Sequence, residues 1–288
     1  MTKSFMFILT VLSLLVLVFM GVGLYMKSRM ILNEHSLWDL LTNADWKPLS
    51  EELGFLPFII GTLAVTALSI LIALPISLLS AIYLSEYAHS WTKRVIFPVL
   101  DILAGIPSVI YGLLGIMVLN PIMYKLELAV FKNSETHQFT GGANLLSAVL
   151  VLAIMILPTV INISESALRS VPPQLKSASL ALGASHIQTI FRVILPAAKS
   201  GIVTAIVLGV GRAIGEAMAI TLVSGSSVNI PLPFNSVRFL TTAIVSEMGY
   251  AAGVHRQVLF TIGLVLFVFI MIINVTLNKI LKKGDVEQ

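Results

Sequence analysis

GIVTAIVLGVGRAIGEAMAITLV, residues 201–223, is the stretch on which the reading of this chain turns. It is apolar over a length that exceeds the roughly 20 residues a helix needs to cross a bilayer. Yet Arg212 and Glu216 sit near its middle. In a continuous helix a spacing of four puts both side chains on one face, within reach of each other across one turn. A guanidinium stays protonated in proteins, so it cannot escape burial by neutralising. In a membrane it needs a partner or a wet cavity, which marks this helix as a functional candidate.

The rest of the composition agrees with a membrane setting. Of 288 residues, 57% are hydrophobic and 11% charged, against roughly half and a quarter in soluble domains. Cysteine is absent, which removes disulfides, thiolate nucleophiles and cysteine-held metals from consideration. The net charge is +4, but no basic tract reads as a nucleic-acid site. The apolar run after Lys3 continues for about 20 residues without a small-residue cleavage pattern, as an uncleaved membrane helix does.

Hydropathy predicts an all-α, polytopic membrane protein with six transmembrane helices, at about residues 5–26, 56–84, 97–120, 145–164, 201–223 and 257–278. Two units are expected: a first helix and outer loop over 1–54, and a core of five helices over 55–288. Lys93, Arg94, Arg169, Lys176, Arg192 and Lys199 all fall on one side, together with the tail carrying Lys282 and Lys283. The positive-inside rule places that side, and both termini, in the cytoplasm. The pair Glu165 and Arg169 is expected at the inner edge, where a solvated pair contributes little. Trp38 and Trp46 suit the opposite interface.

Within the third span, LDILAGIPSVIYGLLG contains Asp101, Gly105, Pro107 and Ser108. Gly105 can end one helical segment and Pro107 can start another, giving a broken helix at membrane depth. A simple proline kink is the competing reading. If the helix is broken, the new start near Ser108 aims backbone N–H groups at a passing anion, and Asp101 joins the candidates for a polar path.

Residues 169–200 predict a helical hairpin on the inner face. Pro172-Pro173 suits a helix start, Gly183 a stop, and Ser185 with Gln188 a capping box before a second short helix. Leu175, Ala178, Ser179 and Leu182 share one face of the first helix. Ile187, Ile190, Phe191, Ile194 and Leu195 form the apolar stripe of the second. Such a wedge packs on neighbouring helices, on the membrane surface, or on a docked partner. Residues 241–253, TTAIVSEMGYAAG, are expected to form a re-entrant or interfacial helix. His186 and His255 read as ordinary polar residues.

Several of these runs resemble a known family. KSASLALGASHIQTIFRVILP is similar to the cytoplasmic loop of ABC-importer permeases, with Ala178, Gly183, Leu195 and Pro196 matching its pattern. LAGIPSVIYGLLG, MILPTVINISESALRSVP and GRAIGEAMAI resemble permeases of the phosphate importer, of the PstC type. The resemblance covers about residues 54–279. It implies a type I ABC-importer permease fold in a bacterial inner membrane. It implies pairing with a PstA-type permease, a dimeric cytoplasmic ATPase, and an external phosphate-binding protein. The hairpin at 170–197 would be the coupling element that docks the ATPase through Lys176, Ser177, Ala178, Gly183, Leu195 and Pro196. Ser177 stands where the family has glutamate, so docking would rest on backbone fit, the apolar face and Lys176 against an acidic partner.

The chain has no phosphate-cradling G-x-x-x-x-G-K-[ST] loop, so no cofactor is expected in it; ATP and Mg would belong to the ATPase. Arg212 suits bidentate contact with phosphate oxygens, with Glu216 holding it when the path is empty. A buried clamp between helices is the competing reading of that pair. For Gly209, Gly211 and Gly215, close helix packing is the expected role. A secondary transporter using Arg212 and Glu216 in its ion path, and an intramembrane enzyme, are the other classes considered. The scattered histidines and the lack of any H-E-x-x-H speak against the latter.

Overall fold

The computed structural model describes residues 2–50 and 52–286; the side chains of Lys282 and Lys283 lie outside the described residues. The elements in order are α1 (Thr2–Glu34), α2 (Leu56–Ile82), α3 (Ser90–Gly105), α4 (Ser108–Leu114), α5 (Asn120–Val130) and α6 (Leu145–Arg169). They are followed by α7 (Pro173–Ala181), α8 (His186–Thr189), α9 (Lys199–Gly215), α10 (Met218–Val223), α11 (Leu240–Glu247) and α12 (Gly253–Val286). A short helix at Leu37–Thr42 and an antiparallel pair, Trp46–Lys47 with Glu52–Leu53, close the first loop.

Five stretches are long and apolar enough to cross a membrane: Phe5–Glu34, Leu56–Tyr87, Ser108–Val130, Leu145–Arg169 and Gly253–Thr276. A sixth is counted by joining His186–Ala197 to Lys199–Gly215, which meet at 69°. The all-α polytopic expectation therefore holds, with two corrections to its boundaries. The third span does not run over 97–120. Ile106 is extended (φ −64°, ψ 128°), as a residue before proline tends to be, and Pro107 caps the next helix. The crossing accordingly starts at Ser108, and α3, with Lys93, Arg94 and Asp101, is a separate segment. Hydropathy averages across such a break and cannot see it.

The second correction concerns 201–223. Here α9 stops at Gly215, Glu216 is extended (φ −70°, ψ 134°), and α10 starts at Met218.

The central helix is α6. Ala148, Leu152, Met155 and Ile156 on it are buried with Val65 and Ala73 of α2, Ala213 of α9, and Ala219, Ile220 and Val223 of α10. A helix apolar on most of its faces is one enclosed by other helices. At one end of the bundle Ile31, Phe55, Phe58, Leu240, Val258, Leu259 and Ile262 join α1, α2, α11 and α12. Residues 240–247 thus form a packed helix, with Leu240, Thr242 and Ala243 buried. At the other end Ala81, Ile82, Leu168, Ile190, Ile194 and Ile202 seat the hairpin on α2, α6 and α9. Among the described residues, three places carry a wide turn with i→i+5 bonding: Tyr83–Tyr87 after α2, Gly115–Leu119 between α4 and α5, and Ile190–Ile194 after α8. Such insertions recur at functional positions.

Candidate functional site: two paired helix breaks and a docking hairpin

The two interruptions lie side by side because the segments that follow them pack together. A Cβ on Gly112 of α4 would meet Leu222 Cδ1 at 2.7 Å and Ala219 O at 2.9 Å, and one on Gly115, just after α4, would meet Val223 Cγ1 of α10 at 2.5 Å and Val151 Cγ2 of α6 at 2.9 Å. Only glycine permits this approach of α4 to α10. Across the first break, Tyr111 Oη donates to Leu103 O at 2.8 Å and sets the angle between α3 and α4. Across the second, Thr241 Oγ1 donates to Glu216 O at 2.7 Å, and the Glu216 carboxylate accepts from Ala219 N–H at 2.9 Å. Two of the backbone groups freed by the break, Glu216 O and Ala219 N–H, therefore have side-chain partners, as membrane burial favours.

This geometry separates the two charges expected to touch. Glu216 leaves the helix that carries Arg212, and no ion pair among the described residues includes either of them. Arg212 instead donates to Thr159 Oγ1 on α6 at 2.9 Å. Three residues on, and on the same face of α6, Asn162 Nδ2 donates to Asp101 Oδ1 at 3.1 Å. So α6 carries one polar strip to which Arg212 and Asp101 both attach, while Pro107 and Ser108 mark the start of α4. Thr159 and Asn162 were not singled out in the sequence; their spacing of three on one helix is the signal that was present. Gly209 does pack closely, with its Cβ position 2.9 Å from Val160 Cγ2, but Gly211 and Gly215 face open space. The expected G-x-x-x-G contact is absent within this chain because the helix presents that side to no neighbour.

The hairpin forms as its residues dictate. Gly183 takes φ +85°, and Ser185 and Gln188 complete a reciprocal capping box. The apolar stripe of the second limb splits into two faces. Ile190 and Ile194 are buried, whereas Leu182 (89% exposed), Ile187 and Phe191 project outward. Of the expected docking residues, Ser177, Ala178, Gly183 and Pro196 are exposed, and Leu195 packs inward beside the buried cluster. Ser177 Oγ donates back to Pro173 O and Gln174 O in its own helix. Lys176 does not project toward a partner: its Nζ lies 2.5 Å from Glu86 Oε2 at the end of α2. His186 belongs to the same cluster, with Nε2 3.8 Å from Glu86 and its ring against Tyr87.

Charged clusters at the opposite end escaped the sequence reading. Glu127 is fully buried and accepts from Thr140 N–H at 2.9 Å, with His137 Nε2 at 2.8 Å. Glu247 is contacted by Arg238, by His255 Nε2 at 2.7 Å and by Trp46 Nε1 at 3.4 Å. His186 and His255 are therefore members of buried-carboxylate clusters rather than ordinary polar residues. Glu165 is likewise buried, at 5% side-chain exposure, 4.0 Å from a largely exposed Arg169. A polar cleft of about 470 Å³ opens between residues 136–143 and 225–236.

Comparisons with known proteins agree with this architecture. Residues 73–284 match the family model described as "Binding-protein-dependent transport system inner membrane component". The chain is 42% identical over 272 residues to the Bacillus subtilis protein named "Probable ABC transporter permease protein YqgH", covering 91% of this chain and 84% of that one. It is 37% identical over 233 residues to the phosphate transport system permease protein PstC of Haemophilus influenzae, covering 77% and 74%. Against the PstC of Pasteurella multocida the figures are 34% over 250 residues, 82% and 77%. Among solved structures, a chain of a bacterial ABC transporter involved in the import of the acidic polysaccharide alginate superposes with a TM-score of 0.68 at 16% identity, covering 98% of this chain and 95% of that chain. A chain of the MetNI methionine transporter in an inward-facing conformation gives 0.54 at 19%, covering 86% and 97%. With its five to six crossings, its inserted hairpin and these matches, the chain belongs to the family of inner-membrane components of binding-protein-dependent transport systems, and is a multi-pass permease of the ABC-importer kind.

Proposed function

We propose that this permease carries inorganic phosphate into the cell as one half of the transmembrane path of an ATP-driven importer. The observation that carries the cargo is Arg212: a permanent cation beside a helix break, bonded to a neutral hydroxyl and paired with no carboxylate among the described residues. An unneutralised guanidinium in that setting favours an anion, and its planar fork matches a tetrahedral oxyanion. Asp101, through Asn162, and Glu216 supply acceptors along the same path, and the start of α4 at Ser108, set by Pro107, supplies N–H donors. Similarity to proteins named phosphate transport permeases supports phosphate among the oxyanions.

The path is completed by a second, PstA-type permease, toward which the open side at Gly211 and Gly215 is turned. A dimeric ATPase, holding ATP and Mg, docks on Leu182, Ile187, Phe191 and the exposed backbone at Ser177, Ala178 and Gly183. The permease itself hydrolyses nothing. An external phosphate-binding protein approaches the opposite end, and both termini lie in the cytoplasm. In the assembled importer reconstituted into lipid vesicles, Arg212→Gln is expected to lower phosphate uptake by at least tenfold, the scale of one lost charged hydrogen bond, while Arg212→Lys retains part of it. Uptake at the unmutated rate by Arg212→Gln would refute the reading, as would gradient-driven uptake by the lone chain.

A further inference from the structure

Chain connectivity joins the hairpin at 170–197 to α6, which ends at Arg169, and, through Leu195–Ala197 and the turn at Ala198, to α9. Its attachment to α2 is made by side chains alone: Ile190 and Ile194 share a buried cluster with Ala81 and Ile82, and a polar contact lies beyond the end of that helix. The wide turn Tyr83–Tyr87 displaces the end of α2 so that Glu86 faces the hairpin. There its carboxylate, 8% exposed, lies 2.5 Å from Lys176 Nζ of the first limb and 3.8 Å from His186 Nε2 of the second. Tyr87 lies edge-on to the His186 ring, with centroids 5.1 Å apart. The turn that presents Glu86 is itself held, since Lys93 Nζ donates to Ser85 O at 3.2 Å and Ser85 Oγ lies 3.3 Å from Glu86 Oε1. The two limbs are joined by the Ser179 and Thr189 hydroxyls, 3.0 Å apart, so they move as a unit.

From this arrangement we infer that Glu86 is a positioning residue for coupling: it ties the docking hairpin to α2, so that displacement of the hairpin drives α2 together with α9. The inference rests on reading the hairpin as the ATPase-docking element. Apolar packing of Ile190 and Ile194 on Ala81 and Ile82 of α2 and on Leu168 of α6 already seats the hairpin. Such contacts are non-directional, so a hairpin held to α2 by them alone could slide over that helix without moving it. A charge-assisted bond with little exposure of its acid is directional and removes that freedom.

The test uses the complete importer in lipid vesicles and reads ATP hydrolysed per phosphate taken up. Glu86→Gln is expected to leave assembly and hydrolysis in place and to raise that ratio about tenfold, the scale of a lost charge-assisted hydrogen bond. Lys176→Gln should do the same, and the exchange of Glu86→Lys with Lys176→Glu should restore the ratio. An unchanged ratio in Glu86→Gln, or an exchange variant as uncoupled as the single ones, overturns the inference. Because the chain has no native cysteine, Glu86→Cys with Lys176→Cys can be bridged by a short bis-maleimide, and bridging should recover coupling. Loss of the remaining uptake on bridging means that the hairpin parts from α2 during transport, which also overturns it. Cross-linking yield reports the contact whatever the cargo, so a failure of phosphate uptake in the unmutated importer counts against the proposed cargo and not against the tether.

Discussion

Arg212 was legible as a residue that needs explaining, but its partner was not. A spacing of four names Glu216 only if the helix is continuous; the actual partner, Thr159, is 53 residues away on α6. Thr159→Val keeps the volume and removes the hydroxyl, leaving the guanidinium without a side-chain partner among the described residues. We expect uptake to fall about tenfold with little change in expression, because a hydrogen bond to a charged group is worth about 1.5–3 kcal/mol. Initial-rate transport assays on vesicles with matched protein content check this. Glu247 illustrates a residue that no local pattern could place, since its contacts come from Trp46, Arg238 and His255 in three different segments. Removing one member of a buried ion cluster typically costs about 3–5 kcal/mol. Glu247→Gln should therefore lower the thermal midpoint in detergent measurably, whereas breaking the exposed Lys47–Glu52 pair should not move it.

Among the elements, the hairpin was the most legible because its signals are local. The Pro-Pro start, the glycine stop at Gly183 and the Ser185–Gln188 box each act within four residues of where they sit. The Gly105–Pro107 signal is local too, but it fitted a kink as well as a break, and the extended Ile106 decides for the break. The break at Glu216 was not legible, because Glu, Ala and Met are good helix formers and what interrupts them is a hydroxyl from α11 and a carboxylate turned onto α10. Packing of α4 on α10 then depends on glycine rather than on either break. Gly112→Leu has nowhere to put its side chain, with Ala219 backbone 2.9 Å from the Cβ position. Overpacking of this kind costs about 1–3 kcal/mol, and it should widen the spacing between the two segments. Transport should be lost before folding is, and cross-linking of cysteines placed on α4 and α10 would register the separation.

For the molecule as a whole, hydropathy gave the class and erred where an apolar run contains an interruption, while loop charge gives an expected orientation, with both termini in the cytoplasm. The topology is open to direct measurement in a chain without cysteine. A single cysteine at Leu182 should react with an impermeant maleimide only from the cytoplasm, and one at Gln138 only from outside. Chain order adds a consequence for how this molecule is made. Thr241, whose hydroxyl bonds Glu216 O, lies C-terminal to residues 199–223 and so reaches the membrane after them. Without that contact the segment is expected to insert as a continuous helix, in which Arg212 and Glu216 stand one turn apart and can neutralise each other. The break, and with it the separation of the two charges, is expected to form when α11 packs. A peptide of residues 199–223 in micelles should accordingly be helical through Glu216 by NMR, and the arginine that serves transport in the finished protein would be the one its neighbour shields during birth.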